Sequence, residues 1–114
     1  MKQLNLSLPN WVDSFLNKQA SIIPEPEDQM RFVLALTERN IREETGGPFG
    51  SAVFEIESGR LVSVGVNVVV QQNCSAAHAE MMALMLAQKE LGHFDLGAAH
   101  LPAHRLVTSG KMCA

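Results

Sequence analysis

The alternation of apolar and polar positions divides the chain into short periodic stretches. Residues 9 to 19, "PNWVDSFLNKQ", are compatible with a short helix. The next stretch, "PEPEDQMRFVLALTERNIREETGG", opens on proline and acidic residues and closes on paired glycines, which are helix start and stop signals. Within it Met30, Val33, Leu34 and Ile41 fall at i, i+3, i+4 and i+11. That stripe predicts an amphipathic helix over about 27–44, packed through those side chains.

Two β-rich runs follow, at 49–57 and 61–70, on either side of "ESGR". The Ser-Gly centre suits a tight turn, so the pair reads as a hairpin. Both runs carry apolar residues at successive positions, which predicts a sheet covered on both faces. "CSAAHAEMMALMLAQ" then reads as a second long helix, with Ser75 as its N-cap and its end near Gly92. Past a loop containing Gly97 and Pro102, "RLVTS" reads as a third strand. Helix, hairpin, helix, strand is the order of an α/β layered domain.

Composition changes this picture little. With 114 residues, 46% hydrophobic and 18% charged, the chain is one ordinary globular domain. The net charge is −3 and the basic residues are scattered singly, which argues against a nucleic-acid partner. No stretch reaches membrane-spanning length, and "MKQLNLSLPNW" lacks the apolar core of a signal peptide. The two cysteines, Cys74 and Cys113, make no disulfide framework. A reducing, cytoplasmic setting is expected, in which either thiol could ligate a metal.

Chemistry concentrates at His78 and Glu80. In mid-helix, residues two apart point about 200° away from each other. At a helix mouth the geometry is looser, and unpaired backbone N–H groups favour negative charge. Behind the pair, residues 81–87 are apolar at every position. A helix apolar all round expects protein on every side, so the pair would lie at the bottom of a covered site. There a histidine can ligate a metal and a carboxylate can shuttle protons. A bare His-x-Glu is so short that it more often describes a core histidine beside a carboxylate held by the helix dipole.

Context decides between them. "GGPFGSAVFE", "LVSVGVNVVV", "CSAAHAEMMAL" and "LVTS", in that order, resemble the cytidine/deoxycytidylate-type zinc deaminase family. Within it the likeness is to the bacterial guanine deaminase-like branch, and it covers most of the chain from about Met30 onward. The family signature is His-x-Glu followed by Pro-Cys-x-x-Cys. The resemblance implies a three-layer cytidine deaminase-like α/β fold, a mixed sheet with helices on both faces. It implies zinc held by His78 and two cysteines, with water in the fourth position. Glu80 would then be the proton shuttle and Asn67 a contact to the base. It further implies a homo-oligomer, a dimer in the simplest case. Family members act on cytidine, deoxycytidylate, guanine and transfer-RNA adenosine. "CSAAHAE" and "GGPFG" favour a free purine base, guanine to xanthine and ammonia. A transfer-RNA adenosine or cytidine deaminase is the alternative that the missing basic face opposes.

The pattern departs from the family after "LVTS". Where Pro-Cys-x-x-Cys is due, the chain has "GKMCA" and ends. Cys113 is in register with the first motif cysteine, Met112 stands where proline belongs, and the second cysteine would lie beyond Ala114. Cys113 is therefore the candidate second zinc ligand. Residues 26–114 are expected to be a deaminase domain lacking its C-terminal strands and helices, after an N-terminal extension at 1–25. A non-catalytic remnant is the rival reading of such a chain. Cys74, four residues before His78, reads as a small buried residue. His93, His100 and His104 read as surface histidines in or near the loop before the third strand.

Overall fold

The computed structural model describes residues 3–98 and 101–110. Its centre is strand β1 (Gly50–Glu55), paired on one side with β2 (Leu61–Val66) and on the other with β3 (His104–Thr108). Both pairings are antiparallel, with Gly50 opposite Val66 and Ser51 opposite Thr108. Helices α1 (Trp11–Asn17), α2 (Pro26–Arg42) and α3 (Ala79–Leu91) complete the described elements. None of these helices is long and apolar enough to cross a membrane.

Side chains alternate across a strand, so one sheet feeds two packing surfaces. Ala52, Phe54, Val64, Val66 and Val107 join Phe32, Val33 and Leu36 of α2 and Trp11, Val12 and Phe15 of α1 in the main core. On the opposite face Val53 packs with Ala83 and Ala87 of α3 and with Leu106. Both faces are covered, as the successive apolar positions predict, and the architecture is three-layer α/β. The amino-terminal helix is part of it. Ring centroids step from Trp11 to Phe15 (6.0 Å), Phe15 to Phe32 (5.8 Å) and Phe32 to Phe54 (6.0 Å), which ties α1 through α2 to β1. Aromatic pairs at this spacing contribute about 0.5–1.5 kcal/mol each beyond the area they bury.

Helix α2 forms where expected but turns a different face inward. Its buried residues are Gln29, Phe32, Val33, Leu36, Thr37 and Asn40. Of the predicted stripe Val33 alone is buried, while Met30 is 39%, Leu34 49% and Ile41 51% exposed. The reason is that the polar residues of the buried face have partners. Gln29 Nε2 donates to the Ile23 carbonyl at 2.8 Å, and Thr37 Oγ1 donates to the Val33 carbonyl at 2.9 Å and lies 2.8 Å from Ser109 Oγ. Asn40 Nδ2 donates to the Gly47 carbonyl at 2.9 Å. A buried polar group so satisfied loses little against water.

Helix α3 starts later than predicted. Ser75 is not its N-cap; that position belongs to His78, with φ −72° and ψ 159°. Residues 69–77 instead form a closed turn, with Cys74 N–H on the Val69 carbonyl and Val68 N–H on the Ala77 carbonyl. The helix ends at Gly92, as read from the sequence. Its outer side is less covered than an all-apolar run implies, since Met81 is 42% exposed and Leu84, Met85 and Leu86 are half-buried.

Candidate active site

The antiparallel register brings the start of β1, the end of β2 and the end of β3 to the same end of the sheet. The start of α3 joins them because of Gly65. A Cβ at that position would run into the Ala79 carbonyl and lie 2.5 Å from the Ala83 nitrogen. The first turns of α3 therefore rest directly on the backbone of β2, where only glycine fits. Ser63 Oγ reinforces the contact by donating to the Ala83 carbonyl at 2.6 Å.

This seating determines where the titratable pair points. His78, as N-cap, is extended and lies outside the helical repeat, so the opposed directions of a mid-helix pair do not apply. Glu80 lies in the first turn and is 8% exposed, a buried carboxylate beside the unpaired N–H groups of the helix start. Ser51 pairs with Gly65, so its side chain projects toward the same first turn. Its hydroxyl is buried and has no hydrogen-bond partner among the described residues. That is uncommon for a buried hydroxyl, and it adds a donor and an acceptor to this end of the sheet.

Asn67 stands one residue beyond β2, not within the strand as the 61–70 run suggests. Its own side chain ends the strand: Oδ1 accepts from the Val69 N–H at 3.1 Å, an Asx-type turn that draws the chain off the sheet. That bond also fixes the amide plane. The paired glycines of "GGPFG" pack against it. A Cβ on Gly46 would occupy the Asn67 carbonyl, and one on Gly47 would come within 3.0 Å of Asn67 Nδ2.

Zinc takes imidazole and thiolate donors in tetrahedral sets. The donor present at the helix mouth, the His78 imidazole, fits as one member of such a set. Among the described residues no group of three His, Cys, Asp or Glu could hold a metal. Cys113, the candidate second ligand, lies outside the described residues. Cys74 is a free thiol that packs against the main core as a small residue but is half-buried and not fully buried as expected.

The loop histidines need correction. His104 opens β3, and both of its ring nitrogens are buried without a partner among the described residues. His93 is half-buried, stacks on Phe94 at 5.1 Å and accepts the Asp95 N–H through Nδ1. His100 lies outside the described residues. Sequence reasoning also missed Ser51 and Asn40 near the site. The available signal for Asn40 was a polar residue in register with Phe32, Val33 and Leu36.

A three-layer α/β domain whose His-x-Glu helix mouth opens at one end of an antiparallel hairpin is the framework of a zinc-type deaminase. The chain belongs to that family: the cytidine and deoxycytidylate deaminase zinc-binding region matches residues 24–108. Among solved structures it is similar to the guanine deaminase from Nitrosomonas europaea, at 44% identity and a TM-score of 0.90, over 99% of this chain and 61% of that one. It is similar to NE0047 in complex with 2,6-diaminopurine at 46% identity and a TM-score of 0.87, over 96% of this chain and 57% of that one. The guanine deaminase from Bacillus subtilis is more distant, at 28% identity and a TM-score of 0.69, over 78% of this chain and 52% of that one. The chain thus spans 52–61% of the length of these proteins. No curated protein matches it.

Proposed function

We propose that the protein catalyses zinc-dependent hydrolytic deamination of a purine base, guanine plus water giving xanthine plus ammonia. The observation that carries this reading is the convergence of His78, buried Glu80 and Asn67 at one end of the sheet. The substrate class is supported by the likeness to guanine deaminases at 44% and 28% identity. His78 and Cys113 would hold the zinc, which when bound makes water acidic enough to ionise near neutral pH.

The chain's own groups do the remaining work. Glu80 takes a proton from the attacking water and passes it to a ring nitrogen as the C–O bond forms at the amino-bearing carbon. The same carboxyl group then helps protonate the departing ammonia as the C–N bond breaks. Burial favours this role, because a carboxylate withdrawn from bulk water exchanges protons with the substrate and not with solvent. Asn67 orients the base, its Oδ1 held by Val69 so that Nδ2 is presented as a fixed donor. A homodimer and a cytoplasmic location complete the reading. A molar mass in solution of twice the chain's mass supports the dimer, and a single-chain mass removes it.

The decisive experiment pairs zinc content with guanine turnover. Glu80→Ala should lower turnover by about 10²–10⁴-fold while zinc per chain stays unchanged. An active Glu80→Ala protein would remove Glu80 from the mechanism. A wild-type protein without turnover or zinc would favour the non-catalytic reading.

A further inference from the structure

Asn40 is fully buried at the C-terminal end of the inward face of α2, yet it is polar. Its side chain makes three hydrogen bonds. Nδ2 donates to the Gly47 carbonyl at 2.9 Å and to the Asn67 carbonyl at 3.2 Å. Oδ1 accepts from Thr45 Oγ1 at 2.8 Å. Thr45 Oγ1 in turn lies 2.8 Å from Trp11 Nε1, across 34 positions of sequence. Trp11 is itself 9% exposed, with the Arg39 guanidinium 5.6 Å above its ring.

The chemistry of the end member fixes the direction of the whole chain. An indole N–H can only donate, so the Thr45 oxygen must accept there. Its single hydroxyl proton is then directed to Asn40 Oδ1. With Oδ1 so engaged, the Asn40 amide has one orientation, with Nδ2 toward the two carbonyls. One of those carbonyls belongs to Asn67 and the other to the glycine that packs on the Asn67 amide. The network therefore clamps Asn67 from its backbone side, while the Val69 N–H holds its side chain.

We infer that Asn40 and Thr45, polarised by the indole of Trp11, are positioning residues for Asn67, which makes the amino-terminal helix a working part of the base site. The inference rests on the proposed function for the role of Asn67. The relay itself is a statement about geometry and can be tested without turnover.

The first readout is the NMR signal of the Asn67 side-chain amide and the Val69 N–H in the full chain. Thr45→Val, which keeps shape and removes the hydroxyl, should shift both resonances. Thr45→Ser should return them to the parent positions. Trp11→Phe keeps one aromatic ring in the core and removes the N–H together with the five-membered ring that carries it, and should shift both in the same direction; it serves where Thr45→Val does not fold. The second readout is kinetic: Thr45→Val should raise KM for guanine about 3- to 10-fold, the effect of roughly one hydrogen bond, with kcat changed less. Unmoved Asn67 and Val69 signals in a folded Thr45→Val or Trp11→Phe protein overturn the relay, and so does a failure of Thr45→Ser to restore them. A parent protein that does not turn over guanine counts against the proposed function alone, because the resonances still decide the relay.

Discussion

The two helices that sandwich the sheet solve the same packing problem in opposite ways. Helix α3 sets Ala79, Ala83 and Ala87, at i, i+4 and i+8, against the sheet and meets a glycine there. Its contact depends on small size. Helix α2 buries Gln29, Thr37 and Asn40 among its apolar residues and leaves Met30, Leu34 and Ile41 outside. Its contact depends on hydrogen bonds to distant segments. A close-packed seam fixes distance, so α3 sets how near His78 and Glu80 stand to the strand ends. A wired seam fixes orientation, so α2 sets how the loop at 45–48 and Asn67 are held. The candidate site draws on both.

If α3 is seated by size, the largest effect should come from adding volume at Gly65. Gly65→Val would drive a branched side chain into the Ala79 carbonyl and the Ala83 nitrogen. Those are backbone atoms that no rotamer change can move aside. A loss of about 3 kcal/mol or more is expected, at the upper end of overpacking effects, read from the urea midpoint. An unchanged midpoint would mean that α3 does not rest on β2.

If α2 is seated by hydrogen bonds, an isosteric apolar replacement should weaken it even though it raises hydrophobicity. Gln29 is 1% exposed, donates to the Ile23 carbonyl and receives Arg105 Nη1 at 3.4 Å through Oε1. Gln29→Met keeps the length and strands that carbonyl. About 2 kcal/mol of destabilisation is expected, the penalty for an unsatisfied buried acceptor. A stabilised Gln29→Met protein would show that α2 is an ordinary apolar face.

The same contrast explains what could be read from the sequence. The order of elements, the hairpin about "ESGR", the end of α3 at Gly92 and the location of His78 and Glu80 at a helix mouth were all legible. Each rests on local signals, on turn residues or on a period. The inward face of α2 was not legible, because its polar residues look solvated until their partners are known. Thr37 finds Ser109 across 72 positions, and Asn40 finds Asn67 across 27. Likewise Ser75 has the right chemistry for an N-cap. The closing of residues 69–77 through Val68 and Ala77 moved the helix start to His78. Cys113 is a different case, since its register with the family motif is a matter of sequence and it lies outside the described residues.

The smallest expected effect belongs to the stripe that periodicity nominated for the core. Leu34 sits at its centre and is 49% exposed. Leu34→Gln keeps helix propensity nearly constant and removes an apolar side chain that is half exposed. The change in stability should stay within about 0.5 kcal/mol, the usual range for surface substitutions. Beside a loss of about 2 kcal/mol for Gln29→Met, on the same helix, that result would mean polar burial outranks apolar content in orienting α2. A loss above about 1 kcal/mol, beyond that surface range, would reverse the assignment of faces if it were independent of protein concentration. If it grew with concentration, the stripe would be a contact between copies of the chain, and the monomer's two seams would stand as described.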